Sequence, residues 1–294
     1  MFQLLQSPWA EHFDSLIKQA HLSLVIASPY VGRGPCNRIT DIKSSPEEKN
    51  GLSILVLTDL SRNTLLSSAT DVSALCDMSD AFRQMEIRFL PSIHAKVYVA
   101  DDKLAVITSA NMTNSGLLNN FEYGVKVDKR SLVRRIKADI IEYAALGTRI
   151  EPAKLKFLAQ ISSELKRIRA EVEVSVKSRL RKEFERRLSN FDEEIIRARA
   201  AGRARHAIFA DAILYLLARR PLPTVELHPL IQSIHPELCD DSIDRVIDGR
   251  HFGKKWKHAV RTAQQNLKEA GKIELREGVW YLKRKSRSLG RRVR

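Results

Sequence analysis

Short apolar runs separated by polar and turn-forming residues dominate the first 130 positions of this 294-residue chain. The first pattern, from Trp9 to Ala20, has helical spacing and predicts a helix with one apolar face. The later runs are typical of buried strands and lie at 22–30, 51–61, 86–90, 95–100, 104–110 and 121–127. Residues 1–130 are therefore expected to form an α/β domain. The Gly- and Pro-containing segment 32–50 is expected to be a mobile loop.

A different pattern follows over residues 131–204. From Leu155 to Ile195, apolar positions recur every three or four residues, which predicts a long helix with one apolar stripe beginning near Pro152. Successive steps of four drift away from a heptad repeat, so a bent or broken helical pair is favoured over a regular coiled coil. We interpret residues 131–204 as a helical linker that acts as a spacer or a dimer strut.

The pattern from residue 205 onward predicts a second, smaller domain. Helices are expected near 206–219, from Thr224 onward and over 256–270, and two short strands are expected within 272–283. Three helices followed by a hairpin is the plan of a winged helix, an α+β fold, which we expect over residues 205–283. Residues 284–294 form a basic tail.

The composition places the chain among ordinary globular proteins, with 44% hydrophobic and 29% charged residues. No apolar run approaches the roughly 18 residues that span a bilayer, and the N-terminal residues lack the pattern of a secretory signal. The cysteines, Cys36, Cys76 and Cys239, are widely spaced and do not suggest disulfides or a zinc site. We therefore expect a cytoplasmic protein without a membrane partner.

The formal net charge is +15, and its distribution is uneven. Residues 1–130 hold 13 Lys and Arg against 14 Asp and Glu, whereas residues 131–204 hold 18 against 11 and residues 205–294 hold 19 against 10. A basic surplus confined to the later segments predicts a polyanionic partner, with DNA as the first candidate. Solvated helix faces together with a basic tail are the alternative explanation.

A group of polar residues in the predicted sheet suits phosphodiester chemistry. His94 and Lys96 point to one face of a strand, and Ser109 and Asn111 follow at the end of the next. If these strands pair as a hairpin, the side chains converge. Lys96, Ser109 and Asn111 could then hold non-bridging oxygens while His94 attacks phosphorus or moves a proton. Glu122, on the following strand, could hydrogen-bond a histidine nitrogen and fix its tautomer.

The segment HAKVYVADDKLAVITSANMTNSGLLNNFE resembles the HxKxxxxD…GSxN motif of the phospholipase D superfamily. The matching residues are His94, Lys96, Asp101, Ser109 and Asn111. Thr108 stands where that family usually has glycine, which raises the question of how tightly the pocket holds phosphate. The resemblance covers about residues 8–127 and implies a sheet sandwiched by helices, with a catalytic domain over residues 1–130.

The chain contains this motif once, because none of its other histidines is followed by lysine two residues later. The resemblance implies that single-motif members build the site at a two-fold dimer interface. One His94 then forms a phosphohistidine and the other protonates the leaving oxygen. It also implies that neither a metal nor another cofactor is needed.

The second domain resembles the winged-helix domain of Mrr-type restriction enzymes. The residues that carry this resemblance are Trp256, Val260, Ala263 and Leu267 in the third helix, and Gly278 to Leu282 at the end. The candidate DNA-contacting residues are Lys254, Lys255, Lys257, Arg261 and Gln264. An interaction module that happens to be basic is the alternative.

Together these patterns predict a metal-independent DNA endonuclease of the restriction or phage-defence type that works as a homodimer. Further restriction or defence subunits are candidate partners. One alternative is a phospholipase or other lipid phosphodiesterase, for which an exposed amphipathic anchor would be expected. Another is a catalytically silent DNA-binding scaffold, although the presence of the motif residues argues against decay of the site.

Overall fold

The computed structural model describes residues 2–174, 183–191, 194–195, 202–247 and 249–283. The chain divides into two compact units, residues 1–202 and 203–294. The expected basic tail, 284–294, and the central part of the apolar stripe, 175–182, lie outside the described residues. Within the ranges described, no helix has the length and apolar character needed to cross a membrane.

A mixed sheet lies at the centre of the first unit. Its strands in the described residues are β1 (Phe2–Gln6), β2 (Ser23–Ala27), β3 (Ser53–Thr58), β4 (Gln84–Phe89), β5 (Val97–Ala100), β6 (Leu104–Thr108), β7 (Tyr123–Val127) and β8 (Thr148–Arg149). They lie side by side in the order β1-β7-β6-β5-β2-β3-β4-β8. β2, β3 and β4 run parallel, whereas β5, β6 and β7 form an antiparallel meander next to β2. Each apolar run predicted as a strand forms one, and the expected α/β fold is confirmed.

Helices cover both faces of this sheet. In the described residues they are α1 (Ala10–Gln19), α2 (Arg33–Ile42), α3 (Pro46–Gly51), α4 (Arg62–Leu66), α5 (Val72–Ala81), α6 (Arg130–Leu146), α7 (Pro152–Val174) and α8 (183–191). α1 packs on β5 and β6 from one side, and α6 contacts β2, β5 and β6. Lys137 of α6 donates a hydrogen bond to Ser23, whose side chain lies on the other face of the sheet from the α1 core.

The segment 32–50, predicted as a mobile loop, contains α2 and α3, so that prediction is wrong. Its prolines stand in the first turns of these helices, where the backbone N–H is not needed by the helix. Cys36 and Ile39 of α2 are buried in the core, which holds the segment in place. Pro and Gly therefore mark helix beginnings here.

The helices predicted as a separate linker, 131–204, pack with the sheet. Leu155, Leu158 and Leu165 of α7 belong to the same buried core as the sheet and α1. α8 lies antiparallel to α7, since Glu194 pairs with Lys154 and Arg187 pairs with Glu164. In the part of the chain that the structure describes, the apolar stripe therefore packs against the core of the first unit. Its use as a dimer strut stays a prediction.

The second unit combines helices with short strands. Within its described residues these are α9 (Arg205–Leu217), β9 (Leu222–Pro223), α10 (Thr224–Ile234), β10 (Asp244–Ile247), β11 (Arg250–Lys254), α11 (Lys255–Glu269), β12 (Ile273–Arg276) and β13 (Val279–Leu282). β12, β13 and β9 form one small sheet. β10 and β11 pair as a separate hairpin, which the sequence pattern did not predict. Trp256, Val260 and Leu267 of α11 are buried.

Candidate active site

The predicted hairpin brings His94, Lys96 and Ser109 to one edge of the first unit's sheet, whereas Asp101 lies at the other end of β5. β5 pairs with β6, and the backbone N–H of Thr108 donates to Lys96 O at 3.1 Å, which extends the ladder to the motif lysine. Because β5 is antiparallel to β2, its beginning lies beside the carboxyl end of β2, where ligands commonly bind in α/β sheets. His94 and Lys96 precede β5, Ser109 follows β6 and Glu122 precedes β7.

His94 and Lys96 contact each other. The Lys96 ammonium nitrogen lies 3.3 Å from Nε2 and 3.4 Å from Nδ1 of His94, and it donates to the His94 carbonyl oxygen at 3.1 Å. Lys96 is buried, whereas the His94 side chain is exposed and open to a substrate. Burial lowers the pKa of the Lys96 amine, while the nearby Glu122 carboxylate opposes this shift. The pair offers a nucleophile beside a cation that can bind phosphate oxygen.

Ser109 and Glu122 form a second pair at the same edge. The Ser109 hydroxyl donates to Glu122 Oε2 and accepts a hydrogen bond from the Tyr123 N–H at 3.1 Å. The Asn120 amide donates to Glu122 Oε1 at 3.0 Å. Glu122 was expected to orient the His94 ring, but in the described residues its carboxylate accepts from Ser109 and Asn120, and its backbone N–H donates to Ser7. Glu122 acts on the His94–Lys96 pair electrostatically, because its negative charge favours the protonated form of Lys96.

Asn111 holds a buried side-chain oxygen, Oδ1, that has no hydrogen-bond partner among the described residues. Gly116 lets the chain pass close to it, since a Cβ at that position would lie 2.3 Å from the Asn111 carbonyl oxygen. An unsatisfied buried polar group costs about 1–3 kcal/mol. This oxygen is an acceptor, so only a group that donates a hydrogen bond can complete it.

Thr108, which stands where the phospholipase D superfamily usually has glycine, faces the core. Its hydroxyl oxygen accepts hydrogen bonds from Trp9 Nε1 at 2.8 Å and from the Ala110 N–H at 3.1 Å, and it donates to Tyr123 O at 3.3 Å. Gly124 on β7 accommodates it, because a Cβ there would come within 2.8 Å of Thr108 Cβ. Thr108 thus fixes the segment that carries Ser109.

Asp101, the aspartate of the motif, lies at the opposite end of β5 from His94. Its buried carboxylate accepts hydrogen bonds from the backbone N–H groups of Leu22 and Ser23 at 2.8 Å and of His21 at 3.2 Å. Burial alone would favour the neutral acid, but these donors together lower the pKa of Asp101. Asp101 therefore joins the β5–β6 turn to β2, away from the end of β5 that carries His94.

We expect Asp101→Ala to lower the free energy of unfolding by about 2–3 kcal/mol at pH 7, because it leaves buried backbone donors without an acceptor. The lowered pKa means that the ionised form stabilises the fold above the ordinary carboxyl value of 3.8, so the difference from wild type should shrink as pH falls below it. Urea titrations at several pH values measure this. The control is Asp102→Ala, whose more exposed ion pairs with Arg134 and Lys137 should contribute less than about 1 kcal/mol. Equal losses in both variants would contradict the role assigned to Asp101.

The predicted DNA-contacting residues of the second unit separate into distinct groups. Lys255 and Arg261 are exposed on α11, and Lys257 lies over the Trp256 ring at 5.5 Å. Lys254 pairs with Asp244 at 2.8 Å, and the hydrogen bond raises the pKa of this lysine.

Gln264, also predicted to contact DNA, is buried, and its amide donates to Thr224 Oγ1 at 3.2 Å. Helical spacing could have revealed this, because Gln264 lies four residues after the buried Val260 and therefore on the same face. Gln265, four residues after Arg261, is exposed on α11. Thr224, from which a helix was expected, is the first residue of α10, and its hydroxyl accepts hydrogen bonds from Gln264 and Trp280.

The sequence comparison agrees with the motif. Residues 13–143 match the family model described as a cardiolipin synthase, PLD-like domain. Over residues 13–143 this chain is therefore similar to a PLD-like domain. Comparison with curated proteins gives no significant match. In the ranges that the structure describes, no group of His, Cys, Asp or Glu side chains is arranged as a metal site.

Three solved structures similar to this chain are named as NucT, as the phospholipase D family member Nuc and as a phosphatidylserine synthase. NucT from Helicobacter pylori is 19% identical with a TM-score of 0.38, and the match covers 47% of this chain and 91% of that one. Nuc from Salmonella typhimurium is 15% identical with a TM-score of 0.41, covering 51% and 98%. Phosphatidylserine synthase from Haemophilus influenzae is 14% identical with a TM-score of 0.44, covering 59% and 46%.

Proposed function

We propose that this protein is a DNA endonuclease that cleaves phosphodiesters without a metal ion, through a phosphohistidine, in restriction or phage defence. The observation that carries the proposal is the contact between His94 and Lys96, opposite the Ser109–Glu122 pair, at one edge of the PLD-like domain. The basic charge of residues 205–294, 19 Lys and Arg against 10 Asp and Glu, supports DNA as the substrate.

In the first chemical step, a ring nitrogen of His94 attacks phosphorus, an N–P bond forms and the P–O bond to one DNA end breaks. The departing oxygen takes a proton from a second imidazolium. Lys96 and the Asn111 amide bind the non-bridging oxygens, where negative charge builds up. In the second step, water attacks phosphorus and gives its proton to the second imidazole, and the N–P bond breaks to restore His94.

The second imidazole would come from His94 of a second copy of the chain, in a two-fold interface. Exposed apolar side chains on the outer face of the sheet support a contact near the site. Leu4 on β1 is 66% exposed, Tyr123 on β7 is 51% exposed and Ile107 on β6 is 39% exposed. Leu4 and Ile107 both lie opposite Val125, so these side chains form one apolar surface at the edge that carries Ser109 and Glu122. Surfaces of this kind commonly mark protein interfaces.

For the second unit, we propose a winged helix that binds duplex DNA, with α11 as its recognition helix. The exposed Lys255, Arg261 and Gln265 lie on its outer side, while Trp256 and Val260 hold it to the core. A recognition helix places its first turns in the major groove, and basic residues there contact base edges and phosphates. This unit would then supply most of the DNA affinity, because residues 1–130 have nearly balanced charge.

Lys255→Ala/Arg261→Ala is expected to weaken duplex binding about tenfold or more and to lower the slope of log affinity against log salt by up to about 1.8, or 0.9 for each phosphate contact. Lys254→Ala should have a much smaller effect, because Asp244 already balances that ammonium. Fluorescence anisotropy of a labelled duplex at several salt concentrations measures both. Cleavage of short DNA at high enzyme concentration should persist in the double variant. An equal loss from Lys254→Ala would argue against α11 as the contacting face.

The proposed function is tested by incubating the purified chain with supercoiled plasmid and with single-stranded DNA, each with and without EDTA. We expect cleavage that EDTA does not reduce. Vesicles containing phosphatidylglycerol or cardiolipin, assayed in parallel for released headgroup, test the lipid phosphodiesterase alternative. Turnover of lipid but not DNA would favour that alternative, and duplex binding without any turnover would favour the scaffold.

A further inference from the structure

The β10–β11 hairpin projects from the second unit with most of its side chains in solvent. Val246, Ile247 and Phe252 are exposed although they are apolar, and Arg245 and Arg250 are exposed beside them. In the described residues, α11 is the main element that packs against the hairpin. A two-stranded ribbon that buries so little of its own apolar surface is poorly explained as a contributor to the core.

The cross-strand register places charge and apolar surface on one face of this ribbon. Ile247 lies opposite Arg250. Alternation along β10 puts Arg245 on the side of Ile247, and alternation along β11 puts Phe252 on the side of Arg250. Arg245 and Phe252 adjoin a register shift in the ladder between Asp244 and Val246. One face therefore carries both guanidinium groups together with two large apolar side chains. Proteins that enter DNA grooves commonly combine arginine with apolar side chains in this way.

Contacts at the base of the hairpin join it to α11. The Arg245 guanidinium lies 3.0 Å from His258 Nδ1, and His258 Nε2 lies 2.5 Å from the Phe252 carbonyl oxygen. Lys254 pairs with Asp244 across the two strands. The hairpin is thus held against the first half of α11, beside the surface that carries Lys255 and Arg261, so both elements can approach one partner.

We propose that the β10–β11 hairpin is a second duplex-DNA contact, in which Arg245 and Arg250 bind phosphates and Ile247 and Phe252 insert into a groove beside the one that α11 occupies. The inference rests on the proposed function of the second unit as a DNA-binding domain. Charge complementarity favours DNA over a protein partner: among the described residues this face carries two guanidinium groups and no carboxylate, in a unit with a basic surplus. Groove insertion would explain why apolar side chains stand beside them in solvent.

The test measures anisotropy of a labelled 20-base-pair duplex (roughly two helical turns) with the full chain at several salt concentrations. Arg245→Ala/Arg250→Ala should weaken binding about tenfold and lower the log–log salt slope by about 1.8, because two phosphate contacts are lost. Ile247→Ser/Phe252→Ser should weaken binding without changing the slope, because no charge is removed. The matched control is Arg219→Ala/Arg220→Ala, which removes the same charge from the turn after α9.

The control should leave affinity within about threefold of wild type, since only nonspecific charge is lost. Unchanged thermal midpoints establish that the variants are folded. If wild type binds duplex DNA and both hairpin variants bind equally well, the hairpin proposal is overturned while the proposed function stands. If the control loses as much affinity as the arginine variant, the effect is one of net charge and the hairpin proposal is again overturned. If wild type binds no duplex, the DNA-binding function fails, and this inference fails with it.

Discussion

His94→Ala should abolish DNA cleavage, with a loss of about 10⁴-fold or more, equivalent to about 5.5 kcal/mol of transition-state stabilisation. The reason is that the exposed imidazole beside Lys96 is the proposed nucleophile, and neither Ser109 nor Lys96 can replace it in forming the phosphohistidine. Lys96→Met, which keeps the buried stem but removes the charge, should cost about 10²–10³-fold. Plasmid nicking followed over time, in EDTA, measures both rates.

His21→Ala is the matched control for this experiment. His21 is exposed at the opposite end of the sheet, and its backbone N–H, which donates to Asp101, is retained in the variant. Activity of this variant should equal that of wild type. Duplex binding by His94→Ala should also be unchanged, which separates loss of chemistry from loss of substrate binding. Residual cleavage above about one per cent of wild type in His94→Ala would mean that another group makes the first bond to phosphorus.

Leu4→Glu/Ile107→Glu should convert the protein from a dimer to a monomer and reduce cleavage to the level of His94→Ala. Both side chains are exposed on the apolar surface near the site, so the substitutions should not disturb the core. Burying a carboxylate without a partner opposes association strongly. Light scattering gives the oligomeric state, and the nicking assay gives the activity of the same samples.

Leu22→Glu is the control for this variant, because Leu22 is also an exposed apolar residue but lies at the Asp101 end of the sheet. It should remain dimeric and fully active. A wild-type monomer with full activity, or a monomeric Leu4→Glu/Ile107→Glu variant that cleaves normally, would contradict the shared site. All of these variants retain the second unit and the basic tail, so neither can account for a difference in oligomeric state or activity between them.

The β5–β6–β7 meander was predictable because its strands are consecutive and their apolar runs are bounded by turn residues. Once His94 and Lys96 stand before one strand and Ser109 stands after the next, local antiparallel pairing alone brings them together. These contacts are close in sequence, so the pattern of the chain nearly determines them.

The roles that the sequence did not reveal depend on contacts between distant segments. Thr108 is bonded to Trp9 and Asp101 to the beginning of β2, and neither pairing follows from the spacing within the motif. β1 was missed because it pairs with β7, more than 100 residues away, and its exposed side chains break the pattern of a buried strand. An apolar stripe predicts a buried helix face but not what covers it, which is why α7 was interpreted as part of a linker.

The stereochemistry of cleavage tests the central claim most directly. A DNA substrate with one phosphorothioate of known configuration at the scissile position would be cleaved in ¹⁸O-labelled water, and the configuration of the product would be determined. A phosphohistidine at His94 requires two successive displacements, each inverting phosphorus, so the account predicts overall retention. Overall inversion, which follows from direct attack by water, would contradict it.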